Sequence, residues 1–178
     1  MKTTPIFLVA IIIGSLFSSC NQDPDDNDGP FVVADLIFSY SVTGAINQSE
    51  NWESPENSNT LGGHGNGVIC NHAGSQNAIS ISGVGTNYTF AVSAPVSSLA
   101  PGTYTVTSAS FTDGTTGFTD FVSGTLRLDQ VTVNFTSVGV TYYTATGSFN
   151  VQIQDGLTPP SSIAFEADFE GLNITSVN

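Results

Sequence analysis

The sequence predicts an all-β protein, an antiparallel β-sandwich of about eight strands. From Phe31 onward apolar and polar residues alternate, so the dominant period is two and not the 3.6 of a helix. The apolar positions are mostly β-branched or aromatic, which suits a pleated and half-buried surface. Gly, Pro and Asp residues separate the segments, as tight turns require. Sequential short strands each bury one face in a sandwich, and a small closed β-barrel is the alternative that alternation alone also allows.

The predicted strands succeed one another along the chain, and apolar residues on one face mark each of them. Turns at Pro101-Gly102 and Gly139 separate strands in the second half of the chain. In chain order, the marking residues are Val32, Ala34, Leu36, Phe38, Tyr40 and Val42; Ile79 and Ile81; Tyr88, Phe90 and Val92; Tyr104 and Val106; Val122, Leu126 and Leu128; Val131, Val133 and Phe135; Tyr143, Ala145, Phe149, Val151 and Ile153; and Ile163, Phe165, Ala167 and Phe169. They predict one domain over residues 31–178.

Residues 45–76 interrupt the alternation and predict a polar insertion within this domain. The segment contains the only tryptophan of the chain, Trp52, and both of its histidines, His64 and His72. Long loops inside compact domains are unusual and commonly carry function. If the domain has a site, we expect it in this segment.

The charge balance excludes one class of partner. The chain has 15 Asp and Glu residues against two Lys and Arg residues, for a formal net charge of −13. Such a surface repels phosphate backbones and anionic lipids, so we expect no nucleic-acid binding. Because Lys2 lies in the N-terminal segment, Arg127 is the one cation expected in the folded part.

The N-terminus has the composition of a targeting segment. Lys2 precedes an apolar stretch over residues 6–17, which is short for a hydrocarbon layer of about 30 Å, and small residues then lead to Cys20. This order predicts a signal peptide over residues 1–19. The following residues are rich in Asp and contain two Pro, which predicts an acidic, flexible tether over residues 20–30.

The run Leu16-Phe17-Ser18-Ser19-Cys20 resembles the lipobox of bacterial lipoproteins, although Phe17 stands where that pattern prefers an aliphatic residue. The resemblance implies that Cys20 is the acylated first residue and anchors the protein in a membrane. The acidic run behind Cys20 resembles the surface-export signal of Bacteroidota lipoproteins. It implies an outer-membrane protein exposed at the cell surface. Ordinary signal-peptide cleavage without acylation is the alternative.

Three residues of the insertion form a candidate metal site. His64, Cys70 and His72 supply two imidazoles and a thiol, the ligand types that zinc and copper prefer. The spacing matches no established metal motif, and a fourth ligand would have to come from elsewhere. Burial of Cys70 as a small apolar residue is the favoured alternative, and we expect no resident cofactor.

Trp52 is the candidate ligand-binding residue. Its neighbours are Glu50, Asn51, Glu53 and Ser54, and exposed aromatic residues flanked by amides are suited to stacking on sugar rings. A half-buried Trp52 that pins the insertion to the domain is the alternative.

Three acidic residues, Glu166, Asp168 and Glu170, share one face of the last strand. Spaced about 6.6 Å apart, they could serve acid–base chemistry or calcium ligation. An unbroken polar row offers no shielded site that would raise one carboxyl pKa, so we interpret it as a solvated face. We expect no enzymatic activity.

The second half of the chain resembles a group of uncharacterised Bacteroidota lipoprotein domains of the DUF6252 type. The residues that carry the resemblance are Pro101-Gly102-Thr103-Tyr104-Thr105-Val106, Gly124-Thr125-Leu126-Arg127-Leu128 and Ala145-Thr146-Gly147-Ser148-Phe149-Asn150-Val151. The resemblance supports the fold and the location and brings no activity with it. We therefore expect a non-enzymatic module that binds or displays a glycan or a protein outside the cell. A metal-binding protein and a purely structural envelope component are the alternatives.

Overall fold

The computed structural model describes residues 36–54, 67–85 and 88–177, which are mostly β-strand. The all-β prediction is confirmed. The strands are β1 Leu36–Gly44, β2 Gln48–Ser54, β3 Gly67–Ala73, β4 Ala78–Val84, β5 Thr89–Pro95, β6 Gly102–Thr105, β7 Ser108–Thr112, β8 Gly117–Phe118, β9 Asp120–Ser137, β10 Val140–Gln154 and β11 Ser162–Val177. A single 3-10 turn, Gly74–Gln76, is the only helical element in these ranges. The described residues contain no helix that is long and apolar enough to cross a membrane. The predicted signal peptide, the tether, Cys20 and His64 lie outside the described residues.

Strand β11 organises the sheet. One of its edges pairs with β10 from residue 162 to 177, and the other pairs first with β1 and then with β3. Beyond β1 lies β2, beyond β10 lie β9 and β6, and beyond β3 lie β4, β5, β7 and β8. The β3–β11 pair is parallel, whereas every other pair among the described strands is antiparallel. The prediction of a purely antiparallel arrangement is therefore wrong at this pair. Turn signals predict hairpins between sequential strands. Because β3 and β11 are far apart in the chain, no turn signal could indicate that they pair.

The sheet curls so that its arms face a common aromatic core. Phe38 of β1 stacks on Phe90 of β5 with ring centroids 5.5 Å apart, although these strands share no ladder. Phe111 of β7 contacts Phe165 of β11 at 5.3 Å. Stacked and tilted ring contacts of this kind add to the stabilisation that burial of apolar area provides. The inward faces predicted for the first and last strands are buried throughout their described residues.

Two predicted strand residues, Val122 and Val133, instead face solvent, with 51% and 59% of their surface exposed. Both lie beside irregularities in the β9–β10 ladder. Ser123 and Phe121 oppose consecutive residues of β10, so Val122 is the extra residue of a bulge, and a second bulge follows Val133. A bulge interrupts the alternation of faces, which the period of two cannot anticipate.

The predicted insertion at residues 45–76 contains regular structure at both ends. Strand β2 is a sheet edge in the described part of the chain, and β3 is an interior strand. An edge strand tolerates charges on both faces, which is why the polar run from Gln48 to Ser54 gave no strand signal. The chain forms eleven strands over its described residues, where the sequence predicted about eight.

Candidate functional site

The outer side of the sheet carries cross-strand rows of polar residues. Strands β2, β1, β11, β10, β9 and β6 lie next to one another in that order. Residues directly opposite one another share a face, so each set of register partners forms a row. The first row is Asn51, Ser39, Asp168, Ser148, Arg127 and Thr103; the second is Ser49, Ser41, Glu166, Asn150, Thr125 and Thr105. We call these two rows the polar face.

Two adjoining cavities open on the polar face. The first has a volume of about 440 Å³ and is lined by residues of β1, β2 and β11. The second has a volume of about 300 Å³ and is lined by residues of β6, β9, β10 and β11. Glu166 and Asp168 line both cavities, so the two meet at β11. We call the combined depression the polar trough.

Some of the polar groups in the trough bond within the protein, and others do not. Ser39 donates a hydrogen bond to Asn51, and the Asn150 amide donates one to Glu166. Within the described ranges, the side chains of Ser41, Ser49, Thr125, Ser148 and Asp168 have no hydrogen-bond partner. These groups are therefore available to water or to a ligand.

The charge of the trough is mainly negative. Glu166 and Asp168 are outward-facing residues of the first cavity, and no described residue that lines this cavity is basic. Arg127, the only Lys or Arg in the described ranges, lines the second cavity. Its Nη2 atom donates to Asp129 Oδ2 at 2.9 Å, so a neighbouring carboxylate already partly neutralises it. Both side chains are exposed, and such a pair contributes little to stability.

A buried tyrosine lies behind the first cavity, on the inner face of β1. The Tyr40 hydroxyl donates to Glu50 Oε2 at 3.2 Å and accepts from Gln48 Nε2 at 3.3 Å. Burial raises the pKa of Tyr40 to about 12, and the Glu50 carboxylate adds to the increase. Tyr40 therefore remains a neutral donor near physiological pH and holds the Glu50 carboxylate on the face of β2 that also carries Trp52, opposite the trough.

The sequence anticipated only part of this arrangement. The structure confirms that Glu166, Asp168 and Glu170 are exposed on one face of β11, and it brings the first two into the trough. The serines of β1, β2 and β10 that complete the trough were not singled out. Their alternation with apolar residues indicated an outward face, but only the register between distant strands shows that they form rows.

Trp52 lies on the opposite side of β2 from the trough. Its ring is 5.3 Å from that of Phe38 and 5.8 Å from that of Tyr88, with which it stacks. The indole Nε1 is buried and has no hydrogen-bond partner within the described ranges. The half-buried side chain thus packs on the aromatic core, as the alternative interpretation held. A role of Trp52 in ligand binding stays a prediction.

Two of the three candidate metal ligands lie in β3. Cys70 and His72 point to the same side of the strand, where both are buried, and burial raises the pKa of the Cys70 thiol above its ordinary value. Both ring nitrogens of His72 make hydrogen bonds: Nδ1 lies 2.8 Å from Ser176 Oγ, and Nε2 lies 2.8 Å from the Val96 carbonyl oxygen. The described residues contain no group of three or more His, Cys, Asp or Glu side chains arranged to hold a metal. With His64 outside these ranges, the three-residue site stays a prediction.

Comparison of the chain with protein-family models, with curated proteins and with solved structures finds no match. The geometry of the polar trough is therefore the basis for assigning a function.

Proposed function

We propose that this protein is a non-enzymatic binding module of the bacterial cell envelope, and that its ligand is a glycan held in the polar trough. In this proposal the acylated Cys20 anchors the chain in the outer membrane, the acidic tether holds the domain away from the lipid, and the curled sheet is a β-sandwich that displays the trough at the cell surface.

One observation carries the proposal: unpartnered hydroxyl and carboxylate groups line two cavities that meet on a single sheet face. Sugars carry many hydroxyl groups, each of which can donate and accept a hydrogen bond. Serine and threonine hydroxyls can likewise donate and accept, and the Asp168 carboxylate can accept several hydrogen bonds. The trough therefore has the chemistry of a polyhydroxylated ligand.

The charge supports the same choice among partners. Nucleic acids and anionic lipids would meet Glu166 and Asp168 with Arg127 as the nearby cation. Repulsion between these carboxylates and an anionic partner opposes association and slows the encounter. A neutral glycan does not pay this electrostatic penalty.

A glycan array probed with the purified protein tests the proposal. We expect retention of neutral glycans by the protein and a loss of at least about tenfold in affinity for Asp168→Asn, which keeps the shape and removes the charged acceptor. Asp120→Asn makes the same chemical change on β9, at a residue that lines neither cavity, and should bind like the parent. Absence of retention of any glycan, or equal losses for both variants, would contradict the proposal.

A further inference from the structure

We infer that the ligand of the polar trough is a linear, uncharged oligosaccharide that lies across the strands and occupies both cavities at once. This inference rests on the proposed function and specifies the length, direction and charge of the ligand.

The continuity of the trough sets the direction. Because Glu166 and Asp168 line both cavities, a ligand that fills one cavity meets the entrance of the other at β11. The rows of register partners run from Asn51 and Ser49 on β2 to Thr103 and Thr105 on β6. Neighbouring strands lie about 4.8 Å apart, so the distance across these strands is about 24 Å. A chain of several sugar units fits this span, whereas a monosaccharide occupies only one part of it.

The described lining of the trough has no exposed aromatic ring on which a sugar could stack, and this affects how long a ligand must be. Among the described residues that line the two cavities, the only aromatic ones are Tyr40 and Phe149, and both are buried, with 6% and 2% of their surface exposed. Stacking on a sugar ring is therefore not available in the trough, and affinity depends on hydrogen bonds. Each hydrogen bond to a ligand replaces one to water and contributes little on its own. Useful affinity then requires that several sugar units bind together.

The charge of the trough sets the charge of the ligand. The Glu166 and Asp168 carboxylates face the cavities, and Arg127 already bonds to Asp129. A uronic acid or sulfated sugar would place an anion beside Glu166 or Asp168. Neutral hexose and pentose chains avoid that repulsion and still supply hydroxyl donors for the carboxylates.

Calorimetric titration with neutral oligosaccharide series tests this inference. The probes are cello-, xylo-, manno- and malto-oligosaccharides of one to six units, with an acidic oligogalacturonide of matched length for comparison. For at least one neutral series, we expect affinity to rise at least about tenfold from the disaccharide to the hexasaccharide. The acidic series should bind more weakly at every length.

Two variants at opposite ends of the trough locate the ligand. Ser49→Ala removes a hydroxyl from the first cavity, and Thr103→Val removes one from the second with little change in shape. Both substitutions should weaken binding of the hexasaccharide, and at most one should weaken binding of the disaccharide. Ser108→Ala on β7, which lines neither cavity, is the control.

The outcomes separate this inference from the proposed function. Two results would show a ligand confined to one cavity: affinity that is already maximal for a mono- or disaccharide, or normal binding of the hexasaccharide by Thr103→Val. Either result would overturn the inference and leave the proposed function intact. Equal affinity for acidic chains would overturn the assignment of charge. If no oligosaccharide binds at any length, the proposed function itself fails.

Discussion

The Nδ1 atom of His72 lies 2.8 Å from the Oγ atom of Ser176, and both side chains are buried. The carbonyl oxygen of Val96 can only accept, so Nε2 of His72 carries the hydrogen of the second bond. In the neutral ring Nδ1 then accepts from the Ser176 hydroxyl. One imidazole thus joins β3 to the end of β11 and to the residue that follows β5. With 2% of Ser176 and 4% of His72 exposed, this pair serves as an internal bridge.

Replacing His72 with Phe should destabilise the fold. The substitution keeps a ring of similar size but leaves the Val96 carbonyl and the Ser176 hydroxyl without partners in the interior. We expect a loss of about 1 to 3 kcal/mol in the free energy of unfolding, measured by urea denaturation. Ser176→Ala keeps the bond to Val96 and should cost less. A His72→Phe protein as stable as the parent would contradict the bridging role.

The Cys70 thiol should be unreactive in the folded protein. It is 2% exposed, and burial raises its pKa, so the nucleophilic thiolate is scarce. In a Cys20→Ser protein, Cys70 is the only thiol. We expect labelling by Ellman's reagent only after addition of denaturant. Rapid labelling under native conditions, or stoichiometric zinc that protects the thiol, would support the metal-site hypothesis instead of simple burial.

Trp52 should act mainly through packing. Truncation to Ala removes its contacts with Phe38, Tyr40 and Tyr88, and we expect a loss of about 2 to 3 kcal/mol, below the usual range for a fully buried aromatic residue. Trp52→Phe keeps much of the ring contact and removes the unpartnered indole N–H, so it should cost less than half as much. Urea denaturation measures both. If Trp52→Phe instead abolishes glycan retention with the stability unchanged, the side chain has a direct role in binding.

The sequence predicted those strands in which one face is apolar and the other is polar. Phe38, Tyr40 and Val42 alternate with Ser39 and Ser41, so both the strand and its buried face followed from local pattern. Strand β2 escaped prediction because its mostly polar residues lie at an edge of the described sheet, where charges on either face are tolerated.

The candidate site could be predicted only in part for a different reason. The carboxylates of β11 lie two residues apart, so their common face was evident from the sequence. Their neighbour Ser39 belongs to a strand that is distant in the chain, and Ser148 becomes their neighbour only through the β10–β11 register, so the rows exist only once the register is fixed. The parallel β3–β11 pair escaped prediction for the same reason, because local turns carry no information about it.

Gly147 should not tolerate a side chain. An added Cβ atom would lie 2.1 Å from the backbone oxygen of Arg127, beside the bulge where β10 meets β9. Because the obstacle is backbone, Gly147→Ala requires strands to move apart, and we expect a loss of about 1 to 3 kcal/mol in thermal or urea unfolding. At Gly117 an added Cβ meets no atom within 4 Å. Gly117→Ala is therefore the matched control and should change the stability by less than about 0.5 kcal/mol.

The turn between β7 and β8 should make stability depend on pH through Asp113. Its Oδ1 atom accepts hydrogen bonds from the backbone N–H groups of Thr116 at 2.7 Å and of Thr115 at 2.9 Å. These bonds favour the charged carboxylate and lower the pKa of Asp113 below its ordinary value of 3.8. Since the pKa is lower in the folded state than in the unfolded state, the stabilisation is complete above the ordinary value and is lost as the pH falls through the folded-state pKa.

Asp113→Ala tests this dependence. At pH 7 the variant should be less stable than the parent by about 0.5 to 1 kcal/mol, since the turn is exposed and each bond contributes modestly. The difference should shrink as the pH falls below 3.8, because protonation then removes the charge-assisted bonds from the parent as well. Asp120 accepts no backbone hydrogen bond in the described ranges, so Asp120→Ala should show a smaller difference from the parent at pH 7. Thermal unfolding of both variants across this pH range measures the effect, and an Asp113→Ala difference that stays constant or grows at low pH would contradict the assignment.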